Sequence, residues 1–238
     1  MKERAFMSWS GGKDSALSLY LAQQAGLRID SLLTSVNKSL DRVSMHGVRR
    51  RLLEAQANAL SLPLHTLELS ENPGMEEYET ALRQRHQSLK TEGYTDGVFG
   101  DIFLEDLKAY REALLAKDEL RCVFPIWKMD SKDVVQKFLA EGFKAIVVCV
   151  NAAHLDQSFC GRLMDERFFA DLPKGVDPCG EHGEYHSYVF DGPNFSKPIA
   201  FEKGEIVFRE YPAPKTSDEC FATPKPANGF YFCDLLPA

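Results

Sequence analysis

Apolar and polar residues alternate in blocks over the first 150 positions, and the period of the pattern switches back and forth between two and about 3.6. The run Ala5-Phe6-Met7 stops at a glycine-containing turn. Beyond it Ala16, Leu17, Leu19, Tyr20 and Leu21 recur at helical spacing, so the opening predicts strand, turn, helix. A second apolar run over 29–36 predicts a buried strand. A helix over about 48–60, a strand over 64–69, a helix over about 75–90, a strand over 95–99 and a helix over about 104–116 follow in the same manner. Strands that alternate with helices predict a parallel sheet covered on both faces. The alternation continues once past Phe124-Pro125-Ile126-Trp127, with a helix over 131–140 and a strand over 145–150, and then lapses.

From about Asn151 the texture changes. Loops rich in Gly, Pro and His surround strands predicted over 185–190 and 205–211. A proline-rich stretch over 212–229 predicts an irregular surface loop before a last short strand over 230–235. The predicted architecture is therefore α/β: a Rossmann-like parallel sheet with helices on both faces over 1–127, then a smaller α+β domain over 128–238. No internal repeat is visible.

Composition narrows the class. Apolar and charged fractions of 44% and 26% in 238 residues are those of an ordinary folded protein. The N-terminus lacks the apolar stretch of a signal peptide, and no run approaches the roughly 20 apolar residues of a membrane span. These features predict a cytoplasmic protein without a membrane partner. The six cysteines show no CxxC spacing and are read as reduced thiols. A net charge of -7 disfavours a nucleic-acid partner, because phosphate binding draws on Lys and Arg. The one dense basic patch, Arg49-Arg50-Arg51, opens a helical stretch and reads as a solvated face, with Arg49 the candidate exception.

The candidate chemistry starts at Trp9-Ser10-Gly11-Gly12-Lys13-Asp14-Ser15, between the first strand and the first helix, where a parallel sheet binds its ligands. Two glycines allow a tight turn whose backbone N–H groups approach an anion. The helix N-terminus adds partial positive charge, and Lys13 adds a full one. The GxxxxGK[ST] spacing of a Walker loop is absent. The segment instead resembles the SGGxDS signature of PP-loop ATP pyrophosphatases, which belong to the adenine nucleotide alpha hydrolase-like (HUP) folds. The resemblance implies that the loop holds the β,γ-pyrophosphate of ATP and leaves the α-phosphorus open to attack. It further implies that Asp14 helps place Mg²⁺.

Ser44-Met45-His46-Gly47-Val48-Arg49 and Phe99-Gly100-Asp101-Ile102 also fall at the ligand-binding edge of such a sheet. Together with Phe124-Pro125-Ile126-Trp127 and the run from Asp177 to Ser187 they resemble the diphthine-ammonia ligase family, over nearly the whole chain. The expected nucleotide contacts are Ser8, Ser10, Gly11, Gly12, Lys13, Asp14, Ser15, His46, Gly100 and Asp101. In that family the reaction amidates the diphthine carboxylate of elongation factor 2 through an acyl-adenylate, with ammonia as the nucleophile. His186, at the position after Tyr185, points to a bacterial relative.

Glu181, Glu184 and His186 place two carboxylates and an imidazole in a glycine-broken loop running into a strand. Glu184 and His186 lie two apart, so an extended segment turns both to one face, where they can orient an amine and accept its proton. Lys13, Glu181, Glu184 and His186 are thus the candidate catalytic residues. Cys179, His182 and His186 have zinc-like spacing without an evident fourth ligand beyond Cys160, and a metal site there is disfavoured. Arg162, in Cys160-Gly161-Arg162, is either a carboxylate ligand or a surface ion pair. The expected function is ATP-dependent adenylation of a small-molecule or protein carboxylate followed by amidation with ammonia, and a homodimer is compatible with it. The alternatives are a PP-loop RNA-modifying enzyme and a non-catalytic ATP- or AMP-binding regulator.

Overall fold

The computed structural model describes residues 3–71, 73–211 and 228–238. The first sheet is built around β1 (Arg4–Ser8), whose middle residues are buried on both sides. Period-two alternation sends Ala5 and Met7 into one apolar cluster and Phe6 into another. Five parallel strands stand side by side in the order β4 (Leu64–Leu69), β2 (Arg28–Asn37), β1, β5 (Asp96–Val98), β6 (Arg121–Val123). The two-residue β3 (Arg42–Val43) pairs antiparallel with the end of β2. Strand order reverses between β1 and β5, which makes the carboxyl end of β1 the switch point of a doubly wound sheet.

Helices cover both faces. On one lie α1 (Lys13–Gln24) and α2 (Arg50–Leu60), which bury Ala16, Leu17, Leu52 and Leu53 with Met7 and Leu32. On the other, α3 (Met75–Thr91) and α4 (Glu105–Ala116) bury Leu82, Leu89, Leu114 and Leu115 with Phe6 and Leu33. This is the expected Rossmann-like arrangement. The three-residue β6 escapes sequence detection because it is too short to show a period.

α5 (Ser131–Ala140), capped by the Asp130 carboxylate accepting from the Lys132 N–H at 2.8 Å, leads into a second, antiparallel sheet. Its order is β8 (Tyr185–Asp191), β7 (Lys144–Asn151), β10 (Asn228–Pro237), β9 (Phe201–Tyr211), with the short α6 (Glu166–Ala170) beside it. β7 continues the helix–strand alternation in sequence yet joins this sheet rather than the parallel one. An apolar run fixes that a strand is buried, not which partner it takes. The proline-rich loop expected over 212–229 falls outside the described residues over 212–227, and its last two positions open β10. Leu17 of α1 and Leu53 of α2 pack in one continuous cluster with Val147 of β7 and Tyr188 of β8. Among the described residues no helix is long and apolar enough to cross a membrane.

Candidate functional site

The loop after β1 is fixed before any ligand is considered. The Trp9 N–H donates to the Leu33 carbonyl at 2.8 Å and the Thr34 hydroxyl donates to the Trp9 carbonyl at 2.6 Å, which ties the loop to β2. Gly11 turns with φ +80°, a conformation that favours glycine. Ser10 and Ser15 stitch the turn together: the Gly12 N–H donates to Ser10 Oγ at 3.3 Å, and Ser15 Oγ donates to the Gly12 carbonyl at 2.9 Å. α1 then starts at Lys13 with Gly12 as its cap residue, which has no side chain to bond back to the first turn.

The open edge of the second sheet lies against this loop. β8 is the edge strand, and an edge exposes N–H and C=O groups that need partners. Val189 donates its N–H to the Gly11 carbonyl at 2.9 Å, and its own carbonyl accepts from Gln56 Nε2 at 2.7 Å. Gln56, fully buried on α2, also donates to the Gly11 carbonyl at 2.9 Å and accepts from Trp9 Nε1 at 2.9 Å. Two residues along β8, Ser187 Oγ accepts the Lys13 N–H at 3.1 Å, and the Ser187 carbonyl lies 3.1 Å from His46 Nδ1. A carbonyl can only accept, so His46 carries its proton on Nδ1 and leaves Nε2 as an acceptor.

A partly open cavity of about 150 Å³ lies where these elements meet, lined in part by Ser10, Gly12, Lys13, His46, Glu181 and His186. The Lys13 side chain is 2% exposed and its ammonium sits 2.7 Å from both Asp14 oxygens, under the Cys179 carbonyl and 5.7 Å from the Tyr185 ring centre. Burial disfavours its charge, but the adjoining Asp14 carboxylate outweighs burial and raises the Lys13 pKa. Burial also lowers His46 to about 4 and His186 to about 3, with the Lys13 charge adding to both; the two rings lie 4.6 Å apart, uncharged at neutral pH. Glu181 behaves in the opposite sense. Burial pushes its carboxyl up to about 7, although Oε1 accepts from the Ile102 N–H at 2.9 Å.

The structure brings Ser10, Gly12, Lys13, Asp14, His46, Glu181 and His186 to one cavity. Glu184 does not join them. Its carbonyl still accepts from the Asn151 N–H of β7 at 2.8 Å, but its buried carboxylate turns back to accept the Asp177 and His182 N–H groups, each at 3.0 Å. Glu184 thereby holds the loop that carries Glu181. Asp101 also turns aside, 2.7 Å from Arg111 Nε, whereas Gly100 backs onto α1: a Cβ there would come within 2.9 Å of the Asp14 carbonyl carbon. Ser8 closes β1 beneath the loop, and Gly11 supplies backbone. Arg49 pairs with Asp234 at 2.6 Å, and Arg162 pairs with Asp171 at 2.8 Å.

The zinc-like triplet points three ways. Cys179 Sγ reaches the Ser131 carbonyl, His182 packs on Phe103, and His186 packs on His46. Among the described residues no group of three His, Cys, Asp or Glu is arranged to hold a metal. The described cysteines are free thiols. Sequence reasoning missed Gln56 and the role of Ser187. The usable signal for Gln56 is a polar residue inside the apolar stripe Leu52, Leu53, Ala57 and Leu60.

Fold and site define a class: a Rossmann-type sheet with a glycine loop and a buried lysine at its switch point, faced by the edge strand of a second sheet. Residues 1–121 match the family model described as the diphthamide synthase N-terminal domain, and residues 130–213 match that of the diphthamide synthase C-terminal domain. The chain belongs to the diphthamide synthase family. Among curated relatives, the diphthine–ammonia ligase of Danio rerio is 29% identical over 234 residues, covering 90% of this chain and 89% of that protein. The Homo sapiens enzyme of the same name is 25% identical over 224 residues, covering 83% and 82%. A solved structure described as a predicted subunit of tRNA methyltransferase from Methanocaldococcus jannaschii aligns with TM-score 0.42 and 17% identity over 61% of this chain and 80% of its own. The matched relatives are animal and fungal, and they lend no support to the bacterial placement suggested by His186.

Proposed function

We propose that the chain is an AMP-forming amide ligase that activates a carboxylate with ATP and transfers the acyl group to ammonia. The observation that carries this reading is the meeting, in one cavity, of the loop Ser10–Ser15 with a buried ammonium and a carboxyl whose pKa lies near neutrality. Backbone N–H groups at the start of α1 and the Lys13 ammonium stabilise the charge that builds on departing pyrophosphate. A carboxylate oxygen of the acceptor displaces that pyrophosphate at the α-phosphorus, giving an acyl-adenylate. Ammonia then attacks the acyl carbon, AMP leaves, and the surplus proton passes to Glu181. His186, held at about 3, is a weak proton acceptor and serves better as a neutral wall beside His46.

The donor set fits a nucleotide and Mg²⁺. Gly12 leaves room that a Cβ would fill, 3.0 Å from His46 Cε1, and Asp14 is a carboxylate 27% exposed at the cavity. Mg²⁺ is held by one or two carboxylates together with phosphate oxygens, so Asp14 is the residue that would hold it, and the ion would supply charge neutralisation on the phosphates. A cavity of about 150 Å³ is smaller than the roughly 300–1,000 Å³ of ordinary ligand sites. Nucleotide binding on this reading requires the segment 177–183 to withdraw and Lys13 to exchange the Cys179 carbonyl for phosphate.

The printed name of the relatives makes the diphthine carboxylate the first acceptor to try, and the same proposal extends to a cytoplasmic enzyme that is compatible with a homodimer and disfavoured as a nucleic-acid binder. The domain division at 127/128 is proposed on the same footing. Carboxylate-dependent exchange of labelled pyrophosphate into ATP, in the absence of ammonia, tests the activation step. Exchange that drops by about 10² or more in Lys13→Ala supports it, on the scale of one lost preorganised donor. ATP binding without exchange, with diphthine-bearing elongation factor 2 supplied, would favour a regulator.

A further inference from the structure

His46 reaches the phosphate loop from a turn between β3 and α2 whose conformation is demanding. Met45 and Gly47, on either side of it, both have positive φ, at 64° and 69°. Met45 is not a glycine and is 70% exposed, so its own packing does not hold it there. Backbone bonds within the turn, from the Val43 N–H to the Val48 carbonyl at 2.8 Å and from the Gly47 N–H to the Val43 carbonyl at 3.0 Å, are joined by a restraint from the far end of the chain. Asp234 on β10 accepts from Arg42 Nη1 at 2.8 Å and from Arg49 through Nε at 3.0 Å and Nη2 at 2.6 Å. These arginines stand at the two ends of the turn, where their backbones form a bridge. Arg42 Nη1 also donates to the Gly47 carbonyl at 2.7 Å, and a Cβ at Gly47 would meet the Phe232 ring at 2.9 Å.

The strand is shaped for this contact. The β9–β10 register slips between Cys233 and Leu235, so Asp234 sits at an irregularity of the kind that re-aims side chains beside functional sites. Beside it, a Cβ at Gly204 would lie 3.4 Å from the Asp234 Cβ, so the small residue leaves space at the slip.

We propose that Asp234 is a positioning residue: through Arg42 and Arg49 it fixes the turn that carries His46 and keeps the His46 ring against Gly12 of the phosphate loop. The structural half of this proposal stands on the contacts alone. Its consequence for ATP rests on the function proposed above.

The test is the ¹⁵N NMR signature of the His46 ring in the full chain and in Asp234→Asn, Asp234→Glu and Arg49→Gln, with the amide spectrum confirming the fold. Besides the Ser187 carbonyl, the groups that face His46 are His186 from β8 and Lys13 from α1, and none of these substitutions touches them. The intact protein should show a neutral ring protonated at Nδ1 that does not titrate between about pH 5 and 8. Asp234→Asn and Arg49→Gln should admit water and move the titration toward the ordinary value of about 6.5. ATP KM should rise about tenfold, as for one lost oriented partner, with kcat changing less, and Asp234→Glu should recover both readouts. Unchanged His46 signals in Asp234→Asn would overturn the proposal whatever ATP does. Altered signals with an unchanged KM would uphold the clamp and count against His46 as a nucleotide contact.

Discussion

Gln56 joins the glycine loop after β1 to the second sheet, and changing it to Glu isolates that link with almost no change in volume. The substitution keeps an acceptor for Trp9 Nε1 and replaces the donor Nε2, which serves two carbonyls at 2.9 and 2.7 Å. The Gly11 carbonyl retains the Val189 N–H, so it is not orphaned. The Val189 carbonyl faces away from β7, on the same side as its N–H, and loses its partner. One buried carbonyl without a donor costs about 1–3 kcal/mol, and a carboxylate facing two carbonyls adds a charge penalty of similar size. A total of about 2–6 kcal/mol, at roughly 2–4 °C per kcal/mol for a chain this long, lowers Tm by about 4–24 °C at neutral pH. The sign with pH follows. The buried acid introduced by Gln56→Glu is raised in the folded state, so the loss should shrink as pH falls and it takes up a proton. Scanning calorimetry at pH 5 and pH 8 is the assay. A Tm within 2 °C of the unmodified protein at both values would refute the view that Gln56 satisfies the β8 edge.

Glu181→Gln should lower amide formation by about 10² to 10⁴-fold and abolish the limb of kcat/KM that rises through about pH 7, because only the ionised carboxyl accepts a proton. Glu184→Ala leaves the Asp177 and His182 N–H groups without their acceptor, so Tm, ATP affinity and turnover should fall together; a loss of turnover alone, by titration calorimetry, would restore Glu184 as a proton acceptor. Although burial opposes it, the Arg49 and Arg42 pairs hold the Asp234 carboxyl down to about 2. It therefore contributes up to about 2 kcal/mol that is present above its unfolded value of about 3.9 and is lost as pH falls through about 2. Acid unfolding followed by circular dichroism should lose that slope in Asp234→Asn.

The fold was largely legible because its strands announce themselves by unbroken apolar runs and its helices by stripes such as Leu52, Leu53, Ala57 and Leu60. The loop Ser10–Ser15 was legible for a local reason: Gly11 takes the positive-φ turn, and the Ser10 and Ser15 hydroxyls close it from within. What lay hidden was long-range. The exception is Glu184, whose carboxylate turns back onto the N–H groups of Asp177 and His182, seven and two residues away, a loop geometry that no periodicity reveals. The links from Gln56 to Val189 and from Arg49 to Asp234 span 133 and 185 residues, beyond any periodicity. Two carboxylates three positions apart in one loop suggest shared work, yet the structure gives Glu181 the cavity and Glu184 the scaffold.

The adenylation claim is tested most directly by following oxygen. With diphthine-bearing elongation factor 2 labelled with ¹⁸O in the acceptor carboxylate, and with ATP, Mg²⁺ and ammonia supplied, the nucleotide product is analysed by mass spectrometry. Attack at the α-phosphorus followed by amide formation leaves one carboxylate oxygen on the nucleotide, so AMP should carry one ¹⁸O and appear in equal amount with unlabelled pyrophosphate. Label in inorganic phosphate with ADP as partner, still dependent on Lys13, would contradict the account and place attack at the γ-phosphorus instead.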